Sequence, residues 1–252
     1  MKRVLFSVAI LAASVCAADE ITSSNVLGIL PITSSAKRTI VSVPWCAMSA
    51  TDNAAIQVSN LVKTANLTVN DMLHVYNGSA FHSWKLAEDS ETKVKYWQSV
   101  NQVGEDGSPT ETPSAQDFAA VRGSAVMLIR QDTSKPFYLY GQVGSGAVTT
   151  EITARGSAES PAYTLVAPAG VNGADLCAKG VCVNIPDGDE ICVTTSTGLQ
   201  VQYTRKEGAW KRYLYSFGVW EWSAPEQINV SAGTGFWYIS KSSEGSNPVF
   251  NW

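Results

Sequence analysis

The chain has 252 residues, a formal charge of −4, and 16% charged against 10% aromatic residues. That charge is modest and mixed along the chain, so the basic footprint that phosphate backbones require is missing and nucleic acid is excluded as a partner class. Abundant Thr, Ser, Val and Gly favour strands and turns over helices.

Lys2 and Arg3, an apolar run over 4–15 and the small residues Cys16, Ala17 and Ala18 read as a cleavable secretory signal over 1–18. The run is short of the roughly 20 residues of a spanning helix, so it is a targeting segment and not an anchor, and no later stretch approaches that length. A lipoprotein signal would modify Cys16, but the bulky Val15 stands where such a signal wants a small side chain. The mature chain is therefore expected in the periplasm, at the cell surface or outside the cell, with no integral membrane span.

The predicted elements begin with Thr39-Ile-Val-Ser-Val-Pro44, a β-branched run closed by proline. Apolar residues at Val58, Leu61, Val62 and Ala65 predict one short helix over 58–66. Strands at 72–76 and 81–84 form a hairpin through Asn77-Gly78, and Lys95-Tyr96-Trp97 follows as a further strand. The stretch 101–114 is polar and rich in Gly, Pro, Glu and Thr, as an exposed loop is. Residues 126–129 are continuously apolar, which predicts a central strand covered on both faces, and Gly123 permits a tight turn just before it. Pro136-Phe-Tyr-Leu-Tyr140 closes this part, and 141–160 is the expected boundary, with one more strand at 148–154.

The second part repeats the first in order. Tyr163-Thr-Leu-Val-Ala-Pro168 matches 39–44, and a hairpin from 199–203 through 206–208 into 210–213 matches 72–84. Val219-Trp220-Glu-Trp222 then matches 95–97, residues 232–240 match 122–130, and Pro248-Val-Phe-Asn-Trp252 matches 136–140. The expectation is an all-β fold, two diverged copies of a β-sandwich or barrel-like module packed together, spanning 19–150 and 151–252. An Ile-Val-Ser-Val-Pro opening, a Val-Asn-Asp-Met-Leu-His-Val-Tyr-Asn-Gly hairpin and a Gly-Thr-Gly-Phe-Trp-Tyr closing strand resemble a paralogous group of exported β proteins from Verrucomicrobia and related bacteria. That resemblance implies a two-repeat β architecture and carries no activity or functional residue with it.

Cys46, Cys177, Cys182 and Cys192 remain after the signal, an even number that in an exported chain suggests disulfides in one of three pairings. The segment 182–192 is symmetric about Asp187-Gly188, which favours Cys182 with Cys192 across a hairpin and leaves Cys46 to reach Cys177. Such a loop closure would stabilise the fold by about 2 to 3 kcal/mol.

Chemistry is thinly supplied. His74 and His82, the only histidines, share one predicted hairpin with no nucleophile elbow beside them. Carboxylates at Asp71, Glu88, Asp117, Glu151, Glu207 and Glu221 would serve a hydrolase, but no spacing singles out a pair. The acidic loops at 105–106 and 187–190 lack the alternating ligands of a calcium loop, and no motif asks for a metal or cofactor. The densest feature is aromatic: Trp210, Tyr213, Tyr215, Phe217, Trp220 and Trp222. Exposed, these rings would stack on sugars, with Trp210, Tyr213, Trp220 and Trp222 as the binding set; buried, their alternation is that of strands facing a core. The sequence thus points to a non-catalytic envelope or surface protein, structural or adhesive, whose partner is another envelope protein or a glycan. A carbohydrate-binding module is the second reading, and a carboxylate-dependent hydrolase the third.

Overall fold

The computed structural model describes residues 27–47, 54–76, 81–100, 119–144, 146–170, 172–195 and 197–252. The expected secretory signal, the expected Asn77-Gly78 turn, the polar stretch 101–114 and Asp117 lie outside these residues. The fold is all-β, with a single four-residue helical turn, α1 (Val58–Leu61), among the described residues. The helix expected to run to 66 ends early, because Val62 leaves helical geometry and bridges a strand at Leu139. Among the described residues no helix is long and apolar enough to cross a membrane.

Two five-stranded sheets dominate, and their strand orders are the same. The first runs β2 (Arg38–Ser42), β8 (Ala125–Ile129), β4 (Met72–Tyr76), β5 (Phe81–Glu88) and β6 (Lys95–Ser99). The second runs β11 (Ala162–Val166), β20 (Phe236–Ser240), β14 (Glu190–Thr194), β15 (Gln200–Lys206) and β16 (Ala209–Lys211). All neighbouring strands are antiparallel. The continuous apolar runs of β8 and β20 each lie between two partners and are almost wholly buried, as strands without a polar face must be. Smaller ladders repeat as well: β1 (Leu27–Ile32) with β9 (Phe137–Gln142) answers β10 (Thr149–Glu151) with β21 (Val249–Asn251). Likewise β3 (Ile56–Gln57) with β7 (Ala119–Ala120) answers β12 (Ala174–Asp175) with β19 (Asn229–Val230).

This pairing corrects the middle of the sequence correspondence. The strand at 72–76 occupies the place of β14, not of 199–203; β5 answers β15, and β6 answers β16 rather than 219–222. The opening strands shift by one residue, since Thr39 and Thr164 lie opposite the corresponding Leu128 and Tyr238. Aromatic likeness misled there, because hydrogen-bond pairing and not ring content fixes which strand is which.

Each sheet seals its own core. Leu73, Leu86, Val126, Leu128, Phe137 and Leu139 pack in the first. Ile191, Trp210, Phe236, Tyr238 and Phe250 pack in the second. A third, smaller cluster of Ile40, Ala125, Leu165 and Ala167 joins them. Across this junction the hydrogen bonds are mirrored: Ser42 N–H donates to the Gly233 carbonyl at 3.0 Å, and Ala167 N–H donates to the Gly123 carbonyl at 3.2 Å. Both glycines hold positive φ, +86° at Gly123 and +72° at Gly233. They also sit in close quarters. A Cβ on Gly233 would fall 1.9 Å from Ile32 Cδ1, and one on Gly123 would fall 2.5 Å from Thr150 Oγ1.

A buried aspartate precedes the third strand of each sheet. Asp71 accepts from the Thr68 N–H at 2.9 Å and the Gln131 N–H at 2.7 Å. Asp189 accepts from the Lys241 N–H at 2.7 Å and from the Tyr238 hydroxyl. Both carboxylates therefore pin the end of a central strand, where an unpaired buried charge would be costly.

The expected cystine hairpin does not form. Cys182 lies on β13 (Cys182–Val183), which pairs β21, whereas Cys192 lies in β14 between β15 and β20. All four thiols are free. Cys46, Cys177 and Cys182 instead donate to the carbonyls of Gln142, Glu226 and Leu176 at 3.3, 3.2 and 3.0 Å. Burial pushes the Cys182 thiol up to about 12, and the thiols of Cys177 and Cys192 are raised for the same first reason.

Candidate functional site: an exposed aromatic hairpin

The second sheet ends in β16, whose Trp210 is 1% exposed beneath the Arg205 guanidinium. Two residues later the chain leaves the sheet. Arg212 anchors the departure: its N–H donates to Ser223 Oγ at 2.9 Å, its carbonyl accepts from the Ser223 N–H at 2.8 Å, and its Nε reaches both Glu226 carboxylate oxygens at 2.7 and 2.8 Å. Beyond this clamp β17 (Tyr213–Ser216) pairs only with β18 (Val219–Trp222).

The turn between them is Phe217-Gly218, with φ of +47° and +88°. Two successive left-handed residues make the tight hairpin turn whose twist matches the strands. Asn or Asp is the usual first residue, because a bulky side chain is disfavoured at positive φ. Here that position is phenylalanine, and its side chain is fully exposed. A strained apolar residue at a protruding tip is an observation that points to use.

Side chains alternate across the ribbon. Tyr213 faces Trp222 and Tyr215 faces Trp220 in register, so four rings share one face. Tyr213 and Trp220 stack at 5.4 Å with planes 21° apart, Tyr213 and Trp222 lie 4.8 Å apart, and Tyr215 and Trp220 5.4 Å. Lys206 Nζ sits 4.9 Å over the Trp222 ring at the base. The opposite face carries Leu214, Ser216, Val219 and Glu221. It too is open: Leu214 and Val219 are both exposed, as are Tyr215, Trp220 and Trp222.

Of the four residues proposed as a binding set, Tyr213, Trp220 and Trp222 come together on this ladder. Trp210 does not; it is a core residue, because β16 still belongs to the sheet. Tyr215, Phe217 and Val219 complete the exposed surface; Tyr215 and Phe217 belong to the aromatic feature read in the sequence but not to the binding set, and Val219 to neither. Their signal was the Phe-Gly pair between two alternating aromatic runs, which is a hairpin tip with no polar residue to explain it.

Several of the other chemical candidates are occupied by the fold. His74 Nδ1 lies 2.6 Å from Ser83 Oγ, and burial, then the Arg38 charge, lowers its pKa. Glu207 pairs with Lys211 at 2.5 Å and Glu151 accepts from Asn247 at 2.7 Å. Asp187 accepts the Glu207 and Gly208 N–H groups at 2.8 and 3.1 Å, which fastens the acidic loop to the β15–β16 turn. Among the described residues no three His, Cys, Asp or Glu side chains converge on one point as a metal would need. One feature no linear reading could reach is a cleft of about 550 Å³ at the junction of the sheets, lined by Tyr76, Arg122, Glu151 and Tyr163. Set against protein-family models, curated proteins and solved structures, the chain matches none of them, and its site is read from its own geometry.

Proposed function

We propose that this is an exported, non-catalytic component of the cell envelope or surface that works by contact, with the β17–β18 hairpin as its contact element. The observation that carries the reading is that a protruding ribbon keeps its aromatic rings and its phenylalanine tip in water, Trp220 at 60% and Phe217 at 103% exposure. Contiguous exposed apolar surface of that kind marks interaction sites in soluble proteins. The clamp of Arg212 on Glu226 holds it at a fixed point on the sheet, so the ordering cost of using it is already met.

A second reading is carbohydrate binding, supported by the near-parallel Tyr213 and Trp220 rings, which present flat faces of the kind that stack on sugars. The test is sedimentation of the protein with isolated envelope fractions, alongside a glycan array, for the native chain and Trp220→Ala. Native binding that the variant loses, at an unchanged unfolding midpoint, is the expected result. Equal binding by both proteins would remove the hairpin from the function.

A further inference from the structure

The hairpin has apolar surface on both faces and at its tip, and this limits what can cover it. A saccharide stacking on the ring ladder would leave Leu214, Val219 and Phe217 in water on the far side and at the end. A surrounding apolar medium covers all three at once. The order of side chains along the ribbon agrees. Residues 213–220, Tyr-Leu-Tyr-Ser-Phe-Gly-Val-Trp, contain no ionisable acid or base other than the tyrosines. Counting back from the tip, the rungs are Ser216 with Val219, Tyr215 with Trp220, then Leu214 with Glu221. The first carboxylate therefore stands on the third rung, roughly 10 Å from the tip at about 3.4 Å per residue.

That distance is close to the depth, about 5–10 Å, to which interfacial segments sink into the boundary between headgroups and acyl chains. With Phe217 deepest, Trp220 and Tyr215 stand at headgroup level, where amphipathic rings are favoured. Lys206, over Trp222 at the base, falls at the outer edge, where phosphate groups would meet it. Resting on the reading of the hairpin as the contact element, we propose that its tip inserts into the interfacial region of a phospholipid bilayer, with Phe217 as the inserted side chain and Glu221 as the stop.

The test is co-sedimentation of the protein with vesicles of phosphatidylethanolamine and phosphatidylglycerol, at low and high salt. The native chain is expected to bind in both, since the contact is mainly apolar. Phe217→Asp should weaken binding at least about tenfold and Phe217→Leu should retain it. Phe217→Leu should keep the native unfolding midpoint and Phe217→Asp should match or exceed it, because the side chain is fully exposed and aspartate suits the left-handed turn position better. Quenching of tryptophan emission by bromine-labelled acyl chains should fall in Trp220→Phe. Failure of the native chain to bind vesicles would overturn insertion, as would binding that high salt abolishes. If glycan binding lost in Trp220→Ala accompanies that failure, or a Trp220-dependent dimer on size exclusion does, the hairpin remains the contact element and only its partner changes. If no surface responds to either variant, both readings fall.

Discussion

The two sheets share strand order and the devices that frame their central strands, and they differ in what they hang from the last strand. Both place an apolar strand centrally, pin its end with a buried aspartate, and lead into it through a positive-φ glycine. They part company after the last strand. The connection following β6 is written in Gly, Pro, Thr and Glu, while the one following β16 is written in Tyr, Phe and Trp. What is common is thus the scaffold, and the difference is where recognition is to be sought.

Breaking the scaffold should cost most. Trp210 and Trp97 hold equivalent places, opposite Arg205 and Leu86, but only Trp210 is fully buried. Trp210→Ala is expected to cost about 3–5 kcal/mol in urea unfolding and Trp97→Ala clearly less. Equal losses would show that the half-buried ring matters as much to its sheet. Next come the aspartates. Asp71→Ala and Asp189→Ala should each cost about 1–3 kcal/mol, with Asp189 the greater because the buried Tyr238 hydroxyl also loses its acceptor. Burial first, and then the hydrogen bond to the Asp189 carboxylate, hold that phenol's pKa well above its ordinary range.

A gentler separation comes from pH. His74 stands where the second sheet has Cys192, and its folded pKa lies below the ordinary 6.5. The neutral ring is therefore favoured in the native state, so its contribution is complete above 6.5 and is lost as pH falls through the lowered folded value. Protonation would also make donors of both ring nitrogens, of which Nε2 is buried without a partner. The unfolding midpoint should drop on mild acidification, and His74→Gln should flatten that part of the profile. An unchanged profile would detach acid sensitivity from the first sheet. Smallest of all, Trp220→Ala should alter stability by no more than about 0.5 kcal/mol while removing contact.

How much of this was legible in the sequence depends on which force decides each feature. Fold class follows from composition, and the central strands from runs with no polar residue, because burial on both faces leaves that mark. The β15–β16 hairpin was legible from Glu207-Gly208, where both φ values are positive. Burial of the aromatics was not. Alternation describes a strand against a core and a strand in water equally well, and Trp210 and Tyr213, three residues apart, fall on opposite sides of that choice. What separates them is the clamp of Arg212 with Ser223 and Glu226, a contact across the hairpin's base that spacing does not reveal. The cysteines failed for a related reason: symmetry about Asp187-Gly188 suggested a hairpin, whereas β13 was claimed by β21.

The mirrored contact between the halves has a consequence for how they are held together. Ser42 reaching Gly233 and Ala167 reaching Gly123 is the pattern two identical subunits make across a two-fold axis, where the contact from i to j is returned from j to i. Here one chain carries both sides of that exchange, so the contact closes within a single molecule and does not depend on protein concentration.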